Sequence, residues 1–176
     1  GAAYNGQGQQ ELTIASNETN SIFQGDPVVL NANGSISRGS SAGAELIGIF
    51  NGCFYTDPTT SKPTFSNHYP GGIVASDIVA NVITDPDVVF EVKVDDANAG
   101  IAQVGSTANI ATYTAGDTTS GISNVVISGA TFSTSNASNF AVVALSTDVD
   151  NSDYTAANAN ILVRINKHQF RDTTGI

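Results

Sequence analysis

In Val88-Val-Phe-Glu-Val-Lys-Val94, the apolar residues Val88, Phe90, Val92 and Val94 alternate with Val89, Glu91 and Lys93. A period of two turns one set of side chains toward a core and leaves the charged pair in water, the mark of a half-buried β-strand. Asp85-Pro86-Asp87, just before it, is a turn set by proline's fixed φ, and Ile78 to Thr84 on the other side reads as a second strand. The same period recurs near the end of the chain, where Ile161, Val163 and Ile165 face one way and Leu162 and Arg164 the other. Ile22 to Leu30 reads as a strand pair interrupted by Gly25-Asp26-Pro27, and Asn33-Gly34 after it is a strong hairpin turn. Glu45 to Phe54 is an apolar strand in which Asn51-Gly52 marks a turn or bulge. Asn124 to Ser128 and Phe140 to Ser146 are further candidates. Helix builders are scarce, with three Lys, three Arg and no Met. About nine or ten short strands separated by turn signals predict an all-β fold, an antiparallel β-sandwich or β-barrel.

The 176 residues fit a single domain. With 16 acidic and 6 basic residues the net charge is -10, which opposes a general nucleic-acid-binding role because phosphate contacts need clustered Lys and Arg. The single cysteine excludes an internal disulfide framework and a multi-cysteine zinc site. No apolar run approaches the ~20 residues of a membrane helix. Gly, Ser, Thr and Asn make up 70 of the 176 residues while charged residues are only 12%, a polar but weakly charged composition that suits an extracellular or structural β-protein.

Three segments stand apart from the expected core. Residues 1–10 (GAAYNGQGQQ) are uncharged and hold one aromatic, Tyr4; they read either as a frayed terminus or as an arm that orders against a neighbouring subunit. The rest, 11–176, is the expected domain, with a protruding loop at 56–72 that carries three of the five prolines together with Phe65, His68 and Tyr69. Those aromatics form a contact surface or fold back over a sheet edge. Residues 100–138, rich in Ala, Gly, Ser and Thr, predict loosely patterned strands with long connections. Three of the six basic residues gather near the end: Arg164, Lys167 and Arg171 lie with His168 in the last 13 positions, suited to docking on an acidic partner face.

Signals for chemistry are weak. Gly39-Ser40-Ser41-Ala42-Gly43 matches the Gly-x-Ser-x-Gly pattern, but a nucleophile elbow needs a following helix and a histidine in reach, and Ala44 to Phe50 reads as a strand. His68 and His168 are 100 residues apart, and nothing in the sequence brings them together. Cys53, within an apolar strand, reads as a small buried hydrophobe. Asp148-x-Asp150-x-Ser152 begins like a calcium loop, but Asp153 stands where the turn glycine belongs and Ala159 where the closing glutamate belongs. No cofactor is implied.

The order of blocks points further. Ser21-Ile-Phe-Gln-Gly-Asp-Pro-Val-Val-Leu30 leads to a turn ending in Gly34 and Ile36; Ile47-Gly-Ile-Phe-Asn-Gly-Cys-Phe-Tyr-Thr-Asp-Pro58 runs into Phe65-Ser-Asn-His-Tyr-Pro70. Ile83-Thr-Asp-Pro-Asp-Val-Val-Phe-Glu-Val92 and the closing Val163-Arg-Ile-Asn-Lys-His168 follow. This order resembles a group of structural proteins of tailed phages, particularly aquatic ones, that sit on the capsid as decoration or cement proteins. The resemblance spans about Ile14 to His168 and is tightest over residues 21–92.

It implies a virion protein without catalysis on the outer capsid surface, bound to the major capsid protein and bridging capsomers. The looser comparison with the small decoration proteins of lambdoid phages implies self-association, as a trimer. No nucleic-acid or membrane partner is implied. The residues expected at interfaces are Tyr4, Phe65, His68, Tyr69, Arg164, Lys167, His168 and Arg171. The alternative is a head fibre or carbohydrate-binding β-sandwich for host attachment, with Tyr55, Phe65, Tyr69 or Tyr113 as stacking platforms. A bacterial surface or pilus subunit and an esterase using Ser41 stand behind it.

Overall fold

The computed structural model describes residues 8–96, 99–151, 153–154 and 156–171. The chain is all-β, and the described residues form ten strands in two sheets: β1 Gln9–Ile14, β2 Pro27–Leu30, β3 Ser35–Arg38, β4 Gly48–Thr56, β5 Pro63–Ser66, β6 Val79–Ile83, β7 Phe90–Lys93, β8 Thr107–Ala108, β9 Phe140–Leu145 and β10 Asn160–Ile165. The first sheet runs β2-β3-β1-β6-β4-β5, and a further β2–β4 pairing closes its first five strands into a barrel, with β5 hanging from β4. Only β1 and β3 pair in parallel within it. The second sheet runs β7-β10-β9-β8, all antiparallel.

Local chemistry sets these elements. Asn33-Gly34 makes the β2–β3 turn: Gly34 takes φ 80°, and the Asn33 side chain accepts the Ser35 N–H at 3.0 Å. At Asn51-Gly52 the β4–β6 register slips between Phe50 and Cys53. That bulge decides the core. Without it, residues three apart on a strand face opposite sides; with it, Phe50, Cys53 and Tyr55 all enter the barrel cluster. Ile49 points the other way, into a second cluster shared with Phe140, Val142, Ile161, Val163 and Ile165. β4 is therefore buried on both faces and joins the two cores.

The β2–β4 seam is completed by the end of the chain. Leu46 donates to the Lys167 carbonyl (2.8 Å) and accepts from the Gln169 N–H (2.9 Å). The Gln169 side-chain amide then imitates a strand partner for Leu30, accepting its N–H at 2.7 Å and donating to its carbonyl at 2.9 Å.

The alternation in Val88–Val94 holds: Val89, Glu91 and Lys93 are exposed while Phe90 and Val92 turn inward. Ile161, Val163 and Ile165 are buried as expected. Other expectations are corrected. Asn124 to Ser128 is not a strand and contributes only bridges at Ile127, to Val94 and Ile110. The first half of Ile22–Leu30 holds single bridges at Ile22 and Gln24. The arm boundary at residue 10 falls inside β1, because β6 supplies partners from Gln9 onward. The 56–72 loop contains β5, folded back on β4. Among the described residues no helix is long and apolar enough to cross a membrane.

Candidate functional site

The outermost strand of the barrel sheet, β5, carries the most exposed aromatic ring among the described residues. Asp57 donates its N–H to the Lys62 carbonyl at 2.9 Å, so the β4-facing backbone groups alternate through Lys62, Thr64 and Ser66. The N–H and C=O of Phe65 therefore point to the open side. Phe65 pairs directly with Phe54 on β4, ring centroids 4.9 Å apart, and is 80% exposed. A large aromatic held rigidly on an open strand edge offers both apolar area and main-chain hydrogen bonds to a partner. The turn behind it is firm: the backbone N–H groups of Thr60 and Thr59 hold the Asp57 carboxyl below the usual carboxylate range.

The other expected interface residues divide. Tyr4 lies outside the described residues. Tyr69 is fully buried; its hydroxyl donates to the Glu18 carbonyl at 3.0 Å and accepts the Ile73 N–H at 3.2 Å. It is a core residue, drawn in because Ile22 and Tyr69 bridge across the barrel end. His68 is half-buried and stacks on Phe23, centroids 5.5 Å apart. His168 is 2% exposed, and its Nδ1 accepts the Phe170 N–H at 3.1 Å. Burial, above all, holds its imidazole below the ordinary histidine pKa. The basic end is not a free patch. Lys167 donates to the Gly43 carbonyl at 3.0 Å and pairs with Glu45 at 3.4 Å, and Arg171 pairs with Asp87. Arg164 stands exposed on β10.

A buried carboxylate gives no sign in the sequence, where Gly25-Asp26-Pro27 reads only as an interruption of a strand pair. Asp26 is 0% exposed and accepts from the Phe23 N–H (2.9 Å), the Tyr113 hydroxyl (3.1 Å) and the Ser123 hydroxyl (2.5 Å). Arg38 lies 3.8 Å over the Tyr113 ring. The cluster ties the 111–125 segment to the barrel.

Burial raises the Asp26 pKa above 3.8, more than its hydrogen bonds and Arg38 lower it, and pushes Tyr113 up to about 12. A raised carboxyl pKa means that the folded state binds the proton more readily, so this contribution to stability is full below 3.8 and is lost as pH rises through the folded value. In Asp26→Asn both hydroxyls can rotate to keep their bonds while the titration disappears. The Tm of the native protein minus that of the variant is expected to fall as pH is raised from 3.8 toward neutrality. A difference that stays flat or climbs would contradict it.

The remaining motifs resolve into scaffolding. No helix follows Gly39–Gly43; the Gly43 N–H is instead gripped by Asn109 and Asn139, both at 3.0 Å. Cys53 is buried, and burial pushes its thiol up to about 12. Asp148 and Asp85 accept the N–H two residues on, at 3.2 and 2.9 Å, as turn formers. Among the described residues no three His, Cys, Asp or Glu side chains group to hold a metal ion. Of the four rings considered for sugar stacking, Tyr55 and Tyr69 are buried and Tyr113 is engaged with Asp26 and Arg38, leaving Phe65. No family model, curated protein or solved structure matches the chain.

Proposed function

We propose that this chain is a virion structural protein that binds the outer surface of an assembled phage capsid and cements neighbouring capsomers without catalysis. The observation that carries the reading is the Phe54–Phe65 pair on the open β5 edge of a closed barrel, which offers apolar area and main-chain hydrogen bonds to a protein partner. The block order of the sequence resembles that of phage decoration proteins, which supports the reading, and a net charge of -10 disfavours DNA as the partner. The partner is the major capsid protein, and copies self-associate around a lattice point, as a trimer. Modest contacts suffice when many copies are held by symmetry.

The test is the copy number of this protein in purified virions, relative to the major capsid protein, by quantitative mass spectrometry. Lattice-wide decoration gives a count comparable to the shell protein. A few copies per particle would point instead to a fibre, and complete absence would remove the virion reading. Phe65→Ser should leave the fold intact, because the ring is 80% exposed. It should also weaken attachment to undecorated capsids by roughly 30-fold, the effect of removing an aromatic anchor worth about 2 kcal/mol. Unchanged retention of Phe65→Ser on sedimented capsids would exclude this edge as the contact.

A further inference from the structure

Among the described residues, a sheet end is open at β5 and another at β7. On β5 the N–H and C=O of Phe65 and the C=O of Pro63 face away from β4, and proline has no N–H to leave unpaired there. On β7 the direction is set by Val94, which donates to the Ala159 carbonyl (3.0 Å) and accepts the Asn158 N–H (2.9 Å). Antiparallel alternation then turns Phe90 and Val92 to β10 and turns Glu91 and Lys93 outward. Ile127 covers the far end of that edge through the Lys93 carbonyl and the Asp95 N–H, at 2.8 and 2.9 Å. The Glu91 N–H and C=O and the Lys93 N–H have no backbone partner among the described residues. Alongside, a crevice of about 590 Å³ separates β7 from residues 122–126, with Phe90, Val92, Val125 and Ile49 in its walls.

We propose that this crevice receives β5 of a second copy, as a strand parallel to β7 with Thr64 opposite Glu91 and the Phe65 ring in the crevice. The first argument is the match of backbone groups. In that register the Glu91 N–H meets the Pro63 carbonyl, the Phe65 N–H meets the Glu91 carbonyl, and the Lys93 N–H meets the Phe65 carbonyl. Every free group of both edges is used. The Lys93 carbonyl is next in line and is already held by Ile127. β5 ends at that point with Ser66, where the Asn67 side chain is tied to the Ser120 carbonyl at 2.6 Å.

The second argument is the side-chain pattern. Pro63 and Phe65 fall on the side of Phe90 and Val92, and Thr64 and Ser66 on the side of Glu91 and Lys93. The exposed Phe65 ring gains an apolar slot, and the half-buried Phe90 and Val92 gain a cover. An antiparallel pair with Phe65 opposite Glu91 would use the same backbone groups but turn the ring onto the charged face. The third argument is charge. Lys62 falls diagonal to Glu91 on the outer face; both are exposed, and neither has a salt bridge among the described residues. The inference rests on the self-association proposed above and gives it a contact. Donor and acceptor edges are different surfaces, so copies join head to tail, the arrangement from which a ring such as a trimer is built. Phe65→Ser then loosens capsid attachment by separating copies that hold the shell jointly.

Sedimentation velocity over a range of concentrations and residue-resolved hydrogen exchange test it. As copies assemble, exchange at the Glu91, Lys93 and Phe65 amides should slow together. Phe65→Ser should raise the dissociation constant roughly 30-fold, the effect of losing an aromatic anchor. Oxidising a mixture of Ser66→Cys and Lys93→Cys should link the two variants, because directly opposed residues on paired strands lie within reach of a disulfide. The antiparallel register sets Ser66 opposite Phe90 and would give no such link. A chain that stays monomeric at its highest soluble concentration would overturn the contact, as would slowing at Phe65 without slowing at Glu91 and Lys93. Assembly of this kind by a protein absent from virions would support the contact and remove only the virion reading. A monomer present in virions at the number of the shell protein would overturn the contact alone.

Discussion

Replacing Gly48 by alanine is expected to prevent the barrel from closing, with a loss above about 4 kcal/mol and little soluble folded protein. A Cβ on Gly48 would stand 2.1 Å from the Ile83 carbonyl oxygen, 2.8 Å from a Val82 methyl and 2.9 Å from the Ile83 carbonyl carbon. Two of those three atoms are backbone, so no rotamer change relieves the contact. Here β4 is paired with β2 on one edge (Val28 with Gly48, Pro27 with Ile49) and with β6 on the other (Ile49 with Ile83). The missing side chain is what lets three strands meet at the seam. Gly34→Ala is the comparison. Its Cβ would meet nothing within 4 Å, so only the φ of 80° is strained, for about 1 kcal/mol. Far-ultraviolet circular dichroism and thermal melting of the two variants check the contrast. If Gly48→Ala melted like Gly34→Ala, β4 would not be held at Ile83 as described.

These two glycines also show what the sequence could reveal. Gly34 announces itself because its partners are adjacent: Asn33 before it and a strand on either side. Gly48 gives no sign, since the atom that excludes a side chain is 35 positions away in Ile83. The alternation in β7 and β10 and the bulge at Asn51-Gly52 were legible for the same local reason. β1 was not, because QQELTI has only two strongly apolar residues, and it becomes a strand by being paired on both sides, by β6 and β3. Burial of aromatic and ionisable groups was the least legible property. Tyr69 and His168 resemble surface residues in sequence and are buried by bridges to Ile22 and Leu46. Phe65, only four residues before Tyr69, is left outside. The candidate contact edge was thus visible as a region of aromatics, while the choice among them depended on which one the barrel needed. In 100–138 hydrophobic patterning is sparse because polar side chains hold the backbone there, and that arrangement leaves no period to read.

Asn139→Ala is expected to lose about 3–5 kcal/mol, seen as a fall in Tm on the order of 10 °C. Asn139 is 0% exposed, and every group of its amide is engaged. Its Oδ1 accepts the Gly43 N–H at 3.0 Å and the Ile110 N–H at 3.2 Å. Its Nδ2 donates to the carbonyls of Ser41 (3.2 Å) and Ala44 (2.8 Å). One side chain thus anchors the turn before β4 and the segment after β8 to the start of β9. Alanine would leave the Gly43 N–H its bond to Asn109, and the Ser41 carbonyl its bond from the Ala44 N–H. The Ile110 N–H and the Ala44 carbonyl would lose the side-chain partner that satisfies them in a dry site, and each such loss costs about 1–3 kcal/mol. Asn139→Asp separates hydrogen bonding from packing, because it keeps the volume and the Oδ1 acceptor. At neutral pH its second oxygen faces two carbonyls and repels them, so the variant should be at least as unstable as alanine. Protonation turns that oxygen into a donor. The folded-state pKa of the new carboxyl is then raised, and by linkage the stability it contributes is present at low pH and lost as pH rises through that value. Thermal melts of Asn139→Asp should therefore recover on acidification relative to those of Asn139→Ala. Parallel pH profiles for the two variants would mean that Asn139 acts by filling space, and that its four bonds do not hold these segments together.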